Sequence, residues 1–452
     1  MTSAAEVKKL IVVGGVAAGM SAASQAKRRK KDLQALVFER GDWVSYGACG
    51  MPYNIQDPQR PIDDLVVISA EKFREKRGID VRTRHEVKAI DLKKRSVTVA
   101  GPRGEEQHEF DRLVIATGCR PVHPPFEGMQ LPGIFLLHTL TQAETIKNYL
   151  KDRSPKRAVV VGGGHIGLEM ADVLAERGLS VTIIKRSGDV PSGYPEDIAK
   201  IVRSELEKHH VELNHGARLL GFEGRDRVEA VLTDAGKIPA DLVLVATGVT
   251  PEVTLAEEAG IRIAECGAIA VDDHMQTSES GIYAAGDCAE AHHIVLNRGT
   301  FIPRGTTANK QGRIAGANLI GADERFRGVA GTSITKVFDL AVGHTGLMDA
   351  EAREAGFDAV STTISAKTRA HAYPDPKDIT VRLVFEKKTG RILGAQMAGG
   401  EGVAKRIDVL VAALYAGWTV EDLASLDLSY APPFAPVWDP ILVAANIAKK
   451  KT

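Results

Sequence analysis

Cys49 is the residue in this chain whose type and setting most clearly point to chemistry. It lies in WVSYGACGMPYN, where Gly47, Ala48 and Gly50 leave room for a second large group beside the sulfur. A thiolate is a strong nucleophile, and its sulfur can cycle through a mixed disulfide, a persulfide or a sulfenic acid. A helix start or an oxidised ring nearby would favour the thiolate form. The other three cysteines, Cys119, Cys266 and Cys288, lie far apart and form no C-x-x-C pair. Neither a metal site nor a disulfide framework is expected, and these three read as structural thiols.

Two glycine-rich loops supply the second kind of chemistry, the binding of phosphates. In the first, the apolar run Lys9 to Val13 leads into VGGVAAG and then into a helix of small residues over Met20 to Ala26. Gly14 and Gly19 hold the first and sixth positions of G-x-G-x-x-G, Val16 replaces the middle glycine, and Ala17 and Ala18 complete the loop. A second strand, Leu36 to Phe38, ends in Glu39, 25 residues after Gly14, where a carboxylate can accept hydrogen bonds from a ribose. The second loop is complete. Ala158 to Val161 runs into GGGHIGLE, which places Gly162, Gly164 and Gly167 in full register around His165 and Ile166, before a helix through Glu176. Backbone N–H groups at such a helix start suit a pyrophosphate. The next strand, Val181 to Ile184, ends in Lys185 and Arg186, cations where an acid would greet a 2′-hydroxyl. They favour a 2′-phosphate and thus NADPH over NADH.

Each loop is followed by a buried strand running into Thr-Gly: Leu113 to Gly118, with Ala116 and Thr117, and Leu242 to Gly248, with Ala246 and Thr247. This is an internal duplication. A third strand, Gly281 to Ala285, ends in Gly286-Asp287, whose carboxylate can bond a polyol. Farther on, strands over Ile379 to Phe385 and Ile392 to Met397 and a helix over Val403 to Ala416 suggest another α/β domain beyond a polar stretch near residues 322–331. Its end, LSYAPPFAPVWDP, holds Tyr430 on a segment stiffened by Pro432 and Pro433.

The composition agrees with a multidomain globular protein. At 452 residues, two to four domains are expected, and 44% hydrophobic with 26% charged residues excludes intrinsic disorder. Lys+Arg and Asp+Glu are both 58, so no global basic field exists for nucleic acid or an anionic membrane. The basic run Lys27 to Lys31 stands alone without stacking aromatics. No apolar run reaches the eighteen or so residues of a membrane span, and MTSAAEVKKL lacks the layout of a secretory signal, so a cytoplasmic location without membrane or nucleic-acid partners is expected.

Taken together, these motifs resemble the two-dinucleotide-domain flavoproteins of the pyridine nucleotide-disulfide oxidoreductase superfamily, over nearly the whole length. The resemblance implies an α/β chain of two Rossmann-like domains and a C-terminal α/β dimerisation domain. FAD would bind residues 1–119 with 252–325, NAD(P)H would bind 120–251, and 326–452 would form a homodimer. It adds Arg40, Val87 and Ala308 to the flavin site. SYGACGMPY looks like the active-site segment of the single-cysteine branch, which holds coenzyme A-disulfide reductases, polysulfide or persulfide reductases, NADH oxidases and NADH peroxidases. The glutathione-reductase-like members carry a partner cysteine five positions on, where this chain has Asn54. The oxidases and peroxidases carry a His in the first loop, where this chain has Ala17, so dioxygen or peroxide chemistry lacks its acid/base group. By the same resemblance Tyr430 is the proton donor to a leaving thiolate, with Tyr373 in HAYPDP supporting it, both reaching the other subunit's Cys49. Arg28, Ser45 and Arg77 fall at coenzyme A contacts. An Asn before the cysteine in one subgroup is Ala48 here, a small residue as in the polysulfide and persulfide branch. The expected acceptors, in order, are coenzyme A disulfide, coenzyme A persulfide and polysulfide. The rivals are NAD(P)H oxidase activity and a flavin-binding, nucleotide-responsive interaction protein.

Overall fold

Val12 and its neighbours Leu10, Ile11 and Val13 are buried, as befits a strand covered on both faces of a parallel sheet. The computed structural model describes residues 7–186, 188 and 190–452. In it Lys9–Val13 is the centre of a five-stranded parallel sheet with the order Ile282–Ala284, Arg112–Ile115, Lys9–Val13, Gln34–Glu39, Ile79–Thr83. The second unit repeats that order with Ile134–Phe135, Leu242–Val245, Arg157–Val161, Ser180–Lys185 and Glu212–His215, again all parallel.

The repetition extends to single atoms. Ala116 N donates to Val13 O at 2.8 Å and Ala246 N donates to Val161 O at 2.8 Å. Gly14 N donates to Phe38 O at 2.8 Å, and Gly162 N to Ile184 O at 3.0 Å. The chain then leaves each Thr-Gly turn into a short strand, and these two strands, Cys119–Pro121 and Val249–Pro251, pair antiparallel with one another. The units are therefore joined at equivalent points of their repeats.

The first helix spans Ala17–Arg29, longer than the Met20 to Ala26 expected, because it begins inside the glycine loop and gains a basic last turn of Lys27, Arg28 and Arg29. Its small residues let the helix Gly305–Asn318 lie at backbone distance. A Cβ on Gly312 would stand 2.3 Å from Ala18 O, and one on Gly316 2.3 Å from Ala22 O.

The C-terminal part is an antiparallel sheet ordered Ser333–Val337, Leu340–Gly346, Ile392–Gly399, Asp378–Glu386, Ala359–Lys367. Helices Val403–Ala416 and Pro440–Ala448 share its core through Ile407, Leu410, Ile441 and Ala445. The strands over 379–385 and 392–397 are found, each slightly longer. The other three are not read from sequence: Ser333–Val337 and Ala359–Lys367 are rich in Ser and Thr, and Leu340–Gly346 is interrupted by two glycines. A charged pair ties this part to the second unit: Arg382 Nη1 bonds Asp197 Oδ2 at 2.6 Å, while its Nε is held within the C-terminal part by Asp349 Oδ2 at 2.9 Å. Buried Asp172 accepts from Lys336 Nζ at 3.0 Å and Phe338 N at 2.9 Å.

Candidate active site

The two loops are built so that nothing larger than hydrogen fits at their key glycines. Gly14 (φ +104°) and Gly162 (φ +116°) lie in the left-handed region, where a Cβ would come within 2.1 Å of Ala116 O and 2.3 Å of Ala246 O. At the helix starts, a Cβ on Gly19 would be 1.9 Å from Gly14 O and one on Gly167 2.1 Å from Gly162 O. Loop and helix thus close on each other and leave the helix N-termini Ala17–Arg29 and His165–Glu176 for an anionic pyrophosphate.

Around the first loop the expected flavin residues converge. Glu39 accepts from Gly15 N at 2.7 Å and Gly41 N at 2.8 Å, which fixes the carboxylate and leaves lone pairs for a ribose. Gly286 packs against Ala18 and Ala308, with its N–H donated to Gln311 Oε1 at 2.9 Å. Asp287 follows directly; burial raises its carboxyl pKa, while bonds from Cys119 and the Arg304 backbone pull it down. Thr117 donates to Glu252 O at 2.6 Å and Thr247 to Val122 O at 3.3 Å, so both hydroxyls brace the strands between the units. Arg40 is exposed, and Val87 is a core side chain packed with Val13 and Phe38, which leaves only its backbone for a ligand. At the second loop Ile166 is exposed, Arg186 is exposed, and Lys185 is buried with its pKa lowered by that burial. These residues fit two dinucleotides.

Cys49 lies in the short turn Ala48–Gly50 that leads into the helix Met51–Gln56, and it is exposed. That helix runs alongside His165–Glu176 of the second unit: Tyr53 OH donates to Glu169 Oε1 at 3.4 Å, and Arg177 Nη1 donates to Ile55 O at 2.7 Å. The Cys49 segment is thereby tied on one side to the helix after the second glycine loop and, through Ser45 N on Gly15 O at 2.9 Å, on the other to the first loop. The chain's own groups work against the thiolate that a helix start would favour. Partial desolvation and then the Glu169 carboxylate raise the Cys49 pKa, and Arg304 only partly opposes them. Glu169 itself is pushed up to about 7, chiefly by burial. Asn54 is fully buried, its amide used on Pro61 O and Lys147 Nζ. Cys119 and Cys288 are buried, with their thiols bonded to Asp287 and to the Ile115 and Ala285 carbonyls.

Several site residues carry no sequence motif. Arg304 bonds His165 Nε2 at 3.4 Å, and His165 Nδ1 in turn meets Thr335 Oγ1 of the C-terminal sheet. Burial, and then Arg304, lower the His165 pKa to about 4, so its imidazole is neutral at pH 7. Arg304 Nε is buried without a partner among the described residues, a donor suited to an anionic ligand.

Of the basic run, Lys27 Nζ is used on Leu33 O at 2.6 Å and Arg29 pairs with Glu324. Arg28 and Arg77 instead meet at Ser24: Arg28 Nε donates to its carbonyl at 3.2 Å and Arg77 Nη1 to its hydroxyl at 3.1 Å. Ser45 (φ +48°) is tied to the first loop by its N–H bond to Gly15 O at 2.9 Å. Tyr373 and Tyr430 are 37% and 48% exposed, and no hydrogen bond joins either to Cys49 among the described residues. Their two loops adjoin, with Ala370 N donating to Pro432 O at 3.3 Å.

A family model described as pyridine nucleotide-disulphide oxidoreductase matches residues 8–312, and the dimerisation domain of the same family matches 332–440. The chain belongs to this family. Members use FAD and NAD(P)H, in keeping with the duplicated loops. Among its relatives, an NAD(P)H coenzyme A polysulfide/persulfide reductase of Pyrococcus horikoshii is 41% identical, with 98% of each chain covered. A coenzyme A disulfide reductase of Staphylococcus haemolyticus is 30% identical over 95% of this chain and 96% of its own. Among solved structures, an NAD-dependent persulfide reductase from A. fulgidus superposes with a TM-score of 0.95 at 38% identity, covering 98% of this chain and 83% of that one. No described helix is long and apolar enough to cross a membrane.

Proposed function

We propose that the chain is a homodimeric, cytoplasmic NAD(P)H-dependent reductase of coenzyme A disulfide and of the related persulfides and polysulfides, acting through Cys49. The observation that carries this reading is the place of Cys49: a single exposed sulfur on a segment tied to the first glycine loop and to the helix after the second, with a buried asparagine where a resolving thiol would stand. The relatives named for coenzyme A-linked sulfur reduction support the substrate class.

Bound flavin supplies the relay of two electrons from nicotinamide to sulfur. The chain's own residues do the rest. The Cys49 thiolate attacks one sulfur of the disulfide R–S–S–R, forming Cys49–S–S–R and displacing R–S⁻. Tyr430, supplied by the partner subunit and supported by Tyr373, protonates the displaced thiolate to RSH. Two electrons then split the mixed disulfide into the Cys49 thiolate and a second thiolate, which takes up a proton. The sum is one disulfide, one NAD(P)H and one proton converted to two thiols and NAD(P)⁺. Arg28 and Arg77, gathered on Ser24, attract the substrate's phosphates. Exposed Arg186, with Lys185, favours NADPH. The apolar exposure of Phe434, Val437 and Trp438 beside Tyr430 suits a face covered by a second copy.

Cys49→Ser is expected to keep its flavin and its reduction by NAD(P)H while losing turnover of coenzyme A disulfide by 10³-fold or more, on the order of what loss of a nucleophile costs. Disulfide reduction at the wild-type rate in that variant would overturn the reading. Intact mass under non-reducing and then reducing conditions tests the substrate class, since a reductant-labile coenzyme A adduct on Cys49 is expected.

A further inference from the structure

Arg406 is 3% exposed and Asp439 6%, an ion pair shut inside the C-terminal part. The guanidinium is fully engaged. Its Nε meets both Asp439 oxygens at 3.0 Å, its Nη2 meets Asp439 Oδ2 at 2.9 Å and the Thr368 carbonyl at 3.3 Å, and its Nη1 meets Gly402 O at 3.3 Å. A Cβ on Gly402 (φ +90°) would stand 2.4 Å from Nη1, so the helix start itself is shaped around this side chain.

Two of the three acceptors on that guanidinium, Thr368 and Asp439, lie at the roots of the two tyrosine loops. Thr368 opens the loop that carries Tyr373, and it closes that loop by exchanging bonds with Lys377 at 2.9 and 3.1 Å. Asp439 ends the loop that carries Tyr430 and caps the helix Pro440–Ala448 through Ile441 N at 3.1 Å. From these roots the loops touch again at Ala370 N and Pro432 O, and the Arg369 guanidinium, paired with Glu401 one residue before Gly402, lies 5.6 Å over the Tyr373 ring. A buried ion pair is poor economy as a source of stability, since well-packed apolar residues do as well or better. What it offers here is one rigid, planar fork that fixes two separate loops in register.

We infer that Arg406, with Asp439, is a positioning residue that holds Tyr373 and Tyr430 jointly in the geometry for proton delivery to the partner subunit's sulfur site. The inference rests on the proposed role of those tyrosines.

The test uses the flavin-loaded dimer with coenzyme A disulfide. The double variant Arg406→Met/Asp439→Leu removes both charges and keeps the volume, so that the fold survives the loss of the pair. Flavin reduction by NAD(P)H in a stopped-flow instrument is expected to be unchanged, while kcat for the disulfide falls about tenfold to a hundredfold, as misplacement of a reacting group costs. KM for the disulfide is expected to hold while kcat falls, a split that a merely structural role would not cause. Wild-type kcat in this variant overturns the inference. Arg406→Lys, which keeps the charge but not the fork, is expected to retain the dimer and still lose kcat; failure of both variants to fold or dimerise would assign the pair to the fold alone and also overturn it. Tyr430→Phe/Tyr373→Phe separates the underlying reading: if it turns over as the wild type, the tyrosine roles fail. If it is impaired, adding the Arg406→Met/Asp439→Leu changes should cost little more, and a full further loss counts against the inference.

Discussion

The Tyr53 hydroxyl donates to Glu169 Oε1 at 3.4 Å, joining the cysteine helix to the helix that follows the second glycine loop. Glu169 is the group through which the second unit bears on the thiol. Its carboxylate raises the Cys49 pKa, after desolvation. Glu169→Gln removes that negative charge, so the Cys49 pKa should fall and its alkylation by iodoacetamide should become faster at pH 7. An unchanged pH profile of alkylation would place the carboxylate's influence elsewhere.

The same carboxyl makes stability depend on pH. Its folded pKa, about 7 against an ordinary 4.5, means that the native state holds the proton more tightly than the unfolded chain. Stability from this group is complete below about pH 4.5 and is lost as pH rises through 7. With its partial exposure discounted, the loss is on the order of 1 kcal/mol. Glu169→Gln should therefore melt higher than the wild type at pH 8 and nearly with it at pH 5, read by thermal denaturation across that range.

The paired glycines predict separable losses. Gly162→Ala forces a Cβ to 2.3 Å from Ala246 O at φ +116°, and should leave flavin content near normal while raising KM for the nicotinamide tenfold or more. Gly14→Ala makes the equivalent clash in the first loop and should yield protein depleted of flavin. The backbone strain alone costs about 1–3 kcal/mol. Absorbance at 450 nm per chain and steady-state kinetics distinguish the two.

Arg186→Glu replaces an exposed cation at the end of Ser180–Lys185 with an anion. A 2′-phosphate would then meet repulsion where it met attraction, so kcat/KM for NADPH should fall by about tenfold to a hundredfold, one to two charge-assisted contacts' worth. The value for NADH should hardly change. Equal effects on both nucleotides would remove the preference assigned to this side chain.

The dinucleotide units were legible because each is specified by local signals: an apolar strand, glycines that no other residue can replace, and a Thr-Gly turn. Gly14, Gly162 and Glu39 are of this kind. Arg304, Glu169 and Tyr53 are not, because their meaning arises from elements far apart in sequence. Arg304 reaches His165 across 139 positions, and no spacing rule connects them. The thiol's raised pKa was hidden for the same reason. Neither the burial of the sulfur nor the Glu169 carboxylate, which belongs to another unit, is marked by the residues around Cys49. Glu169 could have been found as the first acid after the second glycine loop, on the turn that faces a bound ligand. Arg406 and Asp439 sit in unremarkable sequence, and only their burial marks them.

The first sheet draws its edge strand Ile282–Ala284, and its packing helix Gly305–Asn318, from beyond the whole of the second unit. On the ribosome, the second unit has all five of its strands by residue 245, while the first still lacks its last strand and the helix whose glycines seat against Ala18 and Ala22. At about 5–20 residues per second that interval lasts several seconds. The flavin pocket is consequently the later of the two to close during synthesis, although its glycine loop is the first to emerge.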